Sequence, residues 1–477
     1  MTLTTAQLDR AIGVLLGTAA GDALGAPYEF GPPRGPELEV AMVGGGGFGW
    51  EPGEWTDDTS MAIPIAEVAA TGADLRQEQA LDAIVKRWHG WSQHAKDVGV
   101  QTRSVLSRAG QESITAQKAR SESAALHALT CRAAGNGSLM RTAPVALAYL
   151  DDEAALVEAA RAVSTLTHHD PEAGDACVLW CLAIRQAVLT GVMDARIGLQ
   201  HLDADRRDLW ANRLDVAETS QPADFANNGW VVEALQGAWS AITTTPAPRD
   251  DPGAGVFRVD HLRLAVEAAV RGGRDTDTVA AIAGGLLGAV YGASALPGEW
   301  RRLLHGWPGM RTRELVALAT RIVKADTPFA YDLHRMTRVQ HPHDGGVWLA
   351  DVTALQHLPA GVDALVSLCR VNADDLPPAD IEQIDVRLID DIEPNANPNL
   401  DFVLTDTVRL IEAIRGEGRT VLVHCVACQS RTPTVAALYG ARRQSISGER
   451  ALQAVIEVLP GAWPNSYFRK AIKRLAP

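Results

Sequence analysis

The feature that limits the fold most is a change of rhythm about two thirds of the way along the chain. Up to about residue 325, apolar positions recur at helical spacing in segments such as DEAALVEAARAVSTL (152–166) and HLRLAVEAAV (261–270). Gly, Pro and Asp breaks separate them, and strand patterns are nearly absent. After a charged, histidine-rich connection from Asp332 to Asp344, short runs rich in Val, Leu and Ile take over: GVWLADV, DALVSLCRV (363–371), IDVRLID (384–390) and TVLVHCV (420–426). Helical segments such as LDFVLTDTVRLIEAIRG (400–416) and TPTVAALYGARR (432–443) alternate with them. The pattern predicts a multi-domain chain, an all-α domain over residues 1–327 followed by a small α/β domain over 338–477. A length of 477 residues suits two domains, each able to bury a core.

A formal net charge of -14 gives no bulk attraction to nucleic acid or to an anionic membrane, so neither is expected as a partner. The apolar stretch Ala11–Gly21 is too short to span a bilayer, and the first residues lack a basic n-region. The longest apolar run, Val279–Leu296, is rich in Gly and Ala and reads as a buried helix. The six cysteines show no disulfide-framework spacing, and a cytoplasmic setting is the expectation.

Two acidic clusters stand where helices begin. EWTDDTS places Thr56, Asp57 and Asp58 ahead of MAIPIAEVAA, and GGRDTDT places Asp275, Asp277 and Thr278 ahead of a helix carrying Val279, Ile282, Leu286 and Val290. Each cluster alone also reads as an N-cap with first-turn carboxylates complementing the helix dipole. Together, four carboxylates and two hydroxyls form a hard oxygen donor set of the kind Mg²⁺ or Mn²⁺ takes. Aspartates could bridge a pair of such ions about 3.5–4 Å apart. No His/Cys spacing points to zinc. Pro64, inside the first of these helices, is expected to kink or shorten it.

Other stretches accompany the clusters. GTAAGDALGAPYEF (17–30) carries glycines at 17, 21 and 25, a small-residue stripe for close helix packing, and leads to Glu29. KDVG offers Asp97, and STLTHHDPEA offers His168, which in isolation suits a structural role as well as a functional one. GNGSLMRTAP (135–144) is a glycine-rich turn whose amides could cradle a phosphate. In this order the set resembles the ADP-ribosylglycohydrolase family, enzymes similar to dinitrogenase reductase-activating glycohydrolase, over roughly residues 8–325. The resemblance implies a compact all-α fold and a binuclear Mg²⁺ (or Mn²⁺) centre held by Thr56, Asp57, Asp58, Asp275, Asp277 and Thr278. It implies cleavage of the glycosidic bond joining ADP-ribose to a modified arginine or serine side chain, with an ADP-ribosylated protein or an ADP-ribose-containing small molecule as the partner. Asp97 matches the acid/base of the bacterial arginine-type enzymes, and Glu29 the flexible acidic residue of the serine-type ones. Gly135, Asn136, Gly137 and Ser138 are expected at the pyrophosphate, the side chains of Asn136 and Ser138 at the phosphates and His168 nearby.

In VLVHCVACQSRTPTVAALYG a hydrophobic strand runs into Cys425, Arg431 follows, and a helix begins. Such a loop aims amides and a helix N-terminus at one point, favours a thiolate at Cys425 and lets Arg431 grip an oxyanion. The segment resembles the C-x5-R loop of cysteine-dependent phosphatases, and the tail from about residue 340 the dual-specificity group. That resemblance makes Cys425 the nucleophile and gives Asp390, with Asp391 as the fallback, the place of the general acid. Thr432 fits the residue that assists loss of the thiolate, and a phosphoprotein is the implied second partner. Cys428 stands where that group keeps glycine; it either strains the loop or offers Cys425 a disulfide partner. The expected protein is a bifunctional hydrolase. The alternative is that one domain is inactive and binds ADP-ribose or a phosphoprotein.

Overall fold

In the computed structural model the described residues are 2–325, 336–372, 375–376 and 381–477. They fall into two compact units. One comprises Met1–Pro246, His261–Leu296 and Leu303–Asp326, and the other Ala247–Asp260, Pro297–Arg302 and Thr327–Pro477.

The first unit is helical. Its strands among the described residues are the two-residue pair β1 (His305–Gly306) and β2 (Met310–Arg311), antiparallel. Its spine is the helix Thr5–Gly25 packed on the helix Thr276–Tyr291. Glycines spaced by four put one face of the first helix against bare backbone of the second. A Cβ at Gly13 would stand 2.2 Å from Gly288 O, at Gly17 2.1 Å from Gly284 O, and at Gly21 2.0 Å from Ala280 O. A Cβ at Gly25 would meet Asp277 Cα at 2.4 Å. The stripe therefore fixes both the separation and the register of the two helices, and delivers Asp22 beside Asp277.

The helix Pro171–Thr190 has the length and apolarity of a membrane span, yet it is mostly buried among its neighbours. The apolar run from Val279 likewise lies in a buried helix, Thr276–Tyr291. Pro64 does not shorten its helix, which runs unbroken from Asp57 to Ala70. Proline supplies no N–H to the Ser60 carbonyl one turn back. The next carbonyl, Met61 O, accepts an extra bond from Trp88 Nε1 at 2.8 Å.

Among its described residues the second unit holds five strands: β3 (Arg338–His341), β4 (Asp344–Asp351), β5 (Val362–Ser367), β6 (Glu382–Asp385) and β7 (Thr420–Cys425). Their order is β3-β4-β7-β5-β6, with β3 antiparallel to β4 and the other pairs parallel. Part of the histidine-rich connection lies outside the described residues, and its end forms β3. Parallel strands need covered faces. Leu365, Leu422, Ala350 and Leu355 form one buried cluster, backed by Trp348. In register, Asp351 pairs with Cys425 and Ser367 with His424, so the carboxyl ends of β4, β5 and β7 open at one edge. β6 ends at Asp385, short of the strand expected through Asp390; the residues beyond it turn away toward the loop after β7.

Candidate active sites

The helical unit gathers its acidic residues at one buried point. Thr56 begins the helix Asp57–Ala70, but its side chain makes no capping bond. Its hydroxyl lies 3.2 Å from Asp58 Oδ2 and 3.3 Å from Asp277 Oδ2. Asp22 does the capping instead, accepting from the Thr56 N–H at 2.8 Å and the Thr59 N–H at 2.9 Å. The first cluster is therefore more than a helix start, because its hydroxyl is turned to other carboxylates. Thr278 Oγ1 joins it, 3.4 Å from Asp58 Oδ2.

Two overlapping groupings result. Asp22, Asp58 and Asp277 each bring a carboxylate oxygen within 4.8 Å of the others, and so do Glu29, Asp275 and Asp277. Asp277 is common to both. Asp58 Oδ1 and Asp277 Oδ1 are buried with no hydrogen-bond partner among the described residues. Such atoms call for a ligand. Burial, then mutual repulsion, pushes Asp57 up to about 8 and Glu29 up to about 9. Burial also raises Asp22 to about 6, against the bonds from Thr59 and Thr56. Asp58 and Asp277 rise well above the carboxylate range, and Asp275 rises too, burial leading in each case. So many carboxylates cannot all ionise in a dry site unless cations share it. The donors are oxygen only, which fits hard divalent ions and not zinc.

Neighbouring turns orient the cluster. Glu29 follows the turn Ala26–Tyr28 and is strapped beside Asp275 by two main-chain bonds, Phe30 N–H to Arg274 O (2.6 Å) and Arg274 N–H to Gly31 O (2.7 Å). Asp97 is partly exposed and raised by burial; the Gly99 N–H, two residues on, donates to Asp57 Oδ2 at 3.3 Å. Asn136 and Ser138, the side chains expected at the phosphates, have protein partners. Asn136 Nδ2 donates to Asp275 Oδ2 (2.8 Å) and Asn228 O (2.9 Å), and Ser138 is buried with Cys177 Sγ at 3.6 Å. Gly135 and Gly137 remain half-buried at the surface of the turn, against His168.

Sequence reasoning missed Asp22 and Asn228. Asp22 had a signal, a lone carboxylate inside the glycine stripe. Asn228 had none; its Oδ1 accepts from the Asp275 N–H at 3.2 Å and its Nδ2 donates to Gly273 O at 3.0 Å.

In the second unit Cys425 ends the central strand β7, and the helix Arg431–Gln444 begins after a five-residue loop. Arg431 Nη1 donates to Leu368 O at 3.2 Å and Leu388 O at 3.1 Å. Its Nε is buried without a hydrogen-bond acceptor, which leaves that edge of the guanidinium for an oxyanion. Asp390 accepts from Ser430 Oγ (2.7 Å) and Asn465 Nδ2 (2.9 Å) and lies 3.9 Å from Arg431 Nε. Asp391 is exposed and bonded locally to the Glu393 N–H. His424, beneath the loop, contacts Ser367 Oγ at 2.8 Å. Cys428 is buried at φ +54, the left-handed region glycine favours, and Thr432 is buried beside it. Both Cys425 and Cys428 are free thiols.

Comparisons with known proteins divide along the chain. The family model described as ADP-ribosylglycohydrolase matches residues 3–330. An ADP-ribosylarginine hydrolase of Pseudomonas putida is 32% identical over 305 residues, covering 63% of this chain and 75% of that protein. The ADP-ribosyl-[dinitrogen reductase] glycohydrolase of Rhodospirillum rubrum is 30% identical, covering 61% and 89%. A solved structure described as an ADP-ribosylglycohydrolase-related protein complex superposes with a TM-score of 0.51 at 30% identity, over 68% of this chain and all of that one. A 90-residue stretch is 30% identical to dual specificity protein phosphatase 1 of Arabidopsis thaliana, 19% of this chain and 43% of that protein.

Proposed function

The chain belongs to the ADP-ribosylglycohydrolase family, and from that premise we propose that its helical unit is a divalent-metal-dependent hydrolase releasing ADP-ribose from modified arginine side chains. One observation carries the metal dependence: Asp277, shared by two carboxylate groupings, has a buried oxygen with no partner. Thr56, Asp57, Asp58, Asp275, Asp277 and Thr278 would hold the ions, Mg²⁺ or Mn²⁺, with Asp22 against them. When bound, the ions would fix the sugar hydroxyls and ease deprotonation of water.

The remaining chemistry belongs to side chains. Asp97 stands outside both carboxylate groupings, is partly open to solvent, and is held above the usual carboxylate range by burial. That suits a group that gives a proton to a leaving guanidine and takes one from water. Glu29 stands inside the second grouping and shapes the substrate face there. Asn228 and Asn136 hold Asp275 still. The experiment compares ADP-ribose release from Arg- and Ser-modified peptides with Mg²⁺ and after chelation. Release from the Arg peptide, abolished by chelator, is expected. Binding of ADP-ribose without release from either peptide would replace this reading with that of a binding module.

A second activity is proposed on a separate observation, the Arg431 Nε left without an acceptor among the described residues, with Asp390 3.9 Å away. That geometry supports phosphoester cleavage with Cys425 as nucleophile, Arg431 holding the phosphoryl oxygens and Asp390 protonating the leaving group. Thr432 would assist departure of the thiolate. Aryl-phosphate turnover lost in Cys425→Ser is the expected result.

A further inference from the structure

A relay of three buried side chains, Arg141, Thr167 and His168, reaches the glycine turn Gly135–Gly137 at its histidine end. Arg141 is fully buried, with its guanidinium 4.0 Å from the Trp88 ring centroid. Its Nη2 donates to Thr167 Oγ1 at 2.6 Å. Thr167 Oγ1 lies 2.7 Å from His168 Nδ1, and both residues are buried.

The chemistry of the donors fixes the protons. A guanidinium only donates, so Thr167 accepts from Arg141. Among the described residues, His168 Nδ1 is the one acceptor bonded to the Thr167 hydroxyl. Were Nδ1 protonated, the buried O–H would point at nothing, which costs the desolvation of a polar group. The O–H therefore goes to Nδ1. Burial and the Arg141 charge hold His168 well below its ordinary range, so the ring is neutral and its one proton sits on Nε2.

That N–H has no acceptor among the described residues, and it reaches the turn. A Cβ at Gly135 would stand 3.3 Å from His168 Nε2, and one at Gly137 3.2 Å. The two glycines keep the ring edge uncovered. Between them, Asn136 is bonded to Asp275 of the acidic cluster, so the uncovered edge adjoins the metal-binding face.

We propose that Arg141 and Thr167 are positioning residues that lock His168 as a neutral Nε2–H donor to a phosphate oxygen of bound ADP-ribose. The inference rests on the ADP-ribose reading above. It adds that phosphate recognition at this turn uses an uncharged, one-way hydrogen bond, indifferent to pH across the ordinary histidine range.

The test uses the full chain labelled with ¹⁵N-histidine, the His168 signals being identified by their loss in His168→Asn. Long-range proton–nitrogen spectra of wild type are expected to show the Nε2–H tautomer throughout about pH 5–8. Thr167→Val is expected to mix the tautomers and weaken ADP-ribose binding about tenfold by calorimetry, a loss of one hydrogen bond to a charged group. Thr167→Ser is expected to restore both. For an ADP-ribosylated peptide the valine variant should raise KM and leave kcat nearly unchanged, the mark of lost ground-state binding. An Nδ1–H or charged ring in wild type overturns the proposal, and that spectrum decides even where the valine variant fails to fold. Unchanged tautomer and affinity in Thr167→Val overturn it too. A wild type with the expected tautomer and no affinity for ADP-ribose overturns the ligand assignment, and the failure then lies in the ADP-ribose reading.

Discussion

An L-residue at φ +54 in a buried loop carries a backbone penalty that a well-packed thiol only partly offsets, and Cys428 is such a residue. The two contributions separate by comparing substitutions. Alanine removes the sulfur and keeps the β-carbon in the left-handed region, whereas glycine removes both. Cys428→Gly is expected to be more stable than Cys428→Ala by about 1 kcal/mol, read from urea midpoints. An alanine variant at least as stable would show that the loop bears no strain. Asp22 allows a similar separation. Its carboxylate caps a helix start and also faces Asp58 and Asp277. With chelator at about pH 8, Asp22→Asn removes a repelling charge but sets its Nδ2 against one of the two backbone N–H groups, so the melting temperature should fall less than it does with Mg²⁺. With Mg²⁺ present the fall should be larger, because an anionic neighbour of the cation is gone. Equal shifts in both conditions would reduce Asp22 to a cap.

At the scale of elements, glycine has opposite values at two helical positions of this unit. Gly21 faces Ala280 O at 2.0 Å from an added Cβ, whereas Gly90, on the exposed side of the helix Glu78–Ser92, has nothing within 4 Å. Gly90→Ala should stabilise by about 0.5–1 kcal/mol through the unfolded chain. Gly21→Ala must separate the two spine helices and should cost about 1–3 kcal/mol or more, with the Mg²⁺-induced rise in melting temperature largely lost. Retention of that rise would mean the stripe does not set the cluster. The stripe was legible in the sequence because a spacing of four repeats on one helix face, and the acidic clusters were legible because each stands at a helix start. What joins them was not. The register between the helices depends on contacts across more than two hundred residues, and Asn228, which anchors Asp275, sits in a loop with no periodicity. Asn136 was legible as part of a glycine-rich turn, but its direction followed from a partner, Asp275, that local sequence does not reveal.

For the molecule as a whole, the two textures of the sequence correspond to a helical unit and a sheet-containing one, while the segments 247–260 and 297–302 group with the second unit. Those segments were illegible because they are loop or a single helical turn, placed by distant pairs such as Phe257 on Phe402 at 5.7 Å. Among the described residues the carboxylate groupings lie in the helical unit alone, which implies a divided response to metal and pH. In the helical unit, without cations, Asp22, Asp57 and Glu29 titrate at about 6, 8 and 9, above their unfolded values. A carboxylate with a raised folded pKa binds its proton more tightly in the native state. Between the unfolded and folded values the native state therefore holds more protons, and stability falls as pH rises. In chelator, the helical unit's unfolding transition should drop steadily from about pH 4 to about pH 9, and Mg²⁺ or Mn²⁺ should lift it most at the alkaline end. The second unit's transition should not respond to the metal, since no such cluster occurs among its described residues. Calorimetric scans of the full chain at several pH values, with and without cation, make the comparison directly. A cation effect that is constant with pH, or that moves both transitions alike, would mean the ions do not act by neutralising this cluster.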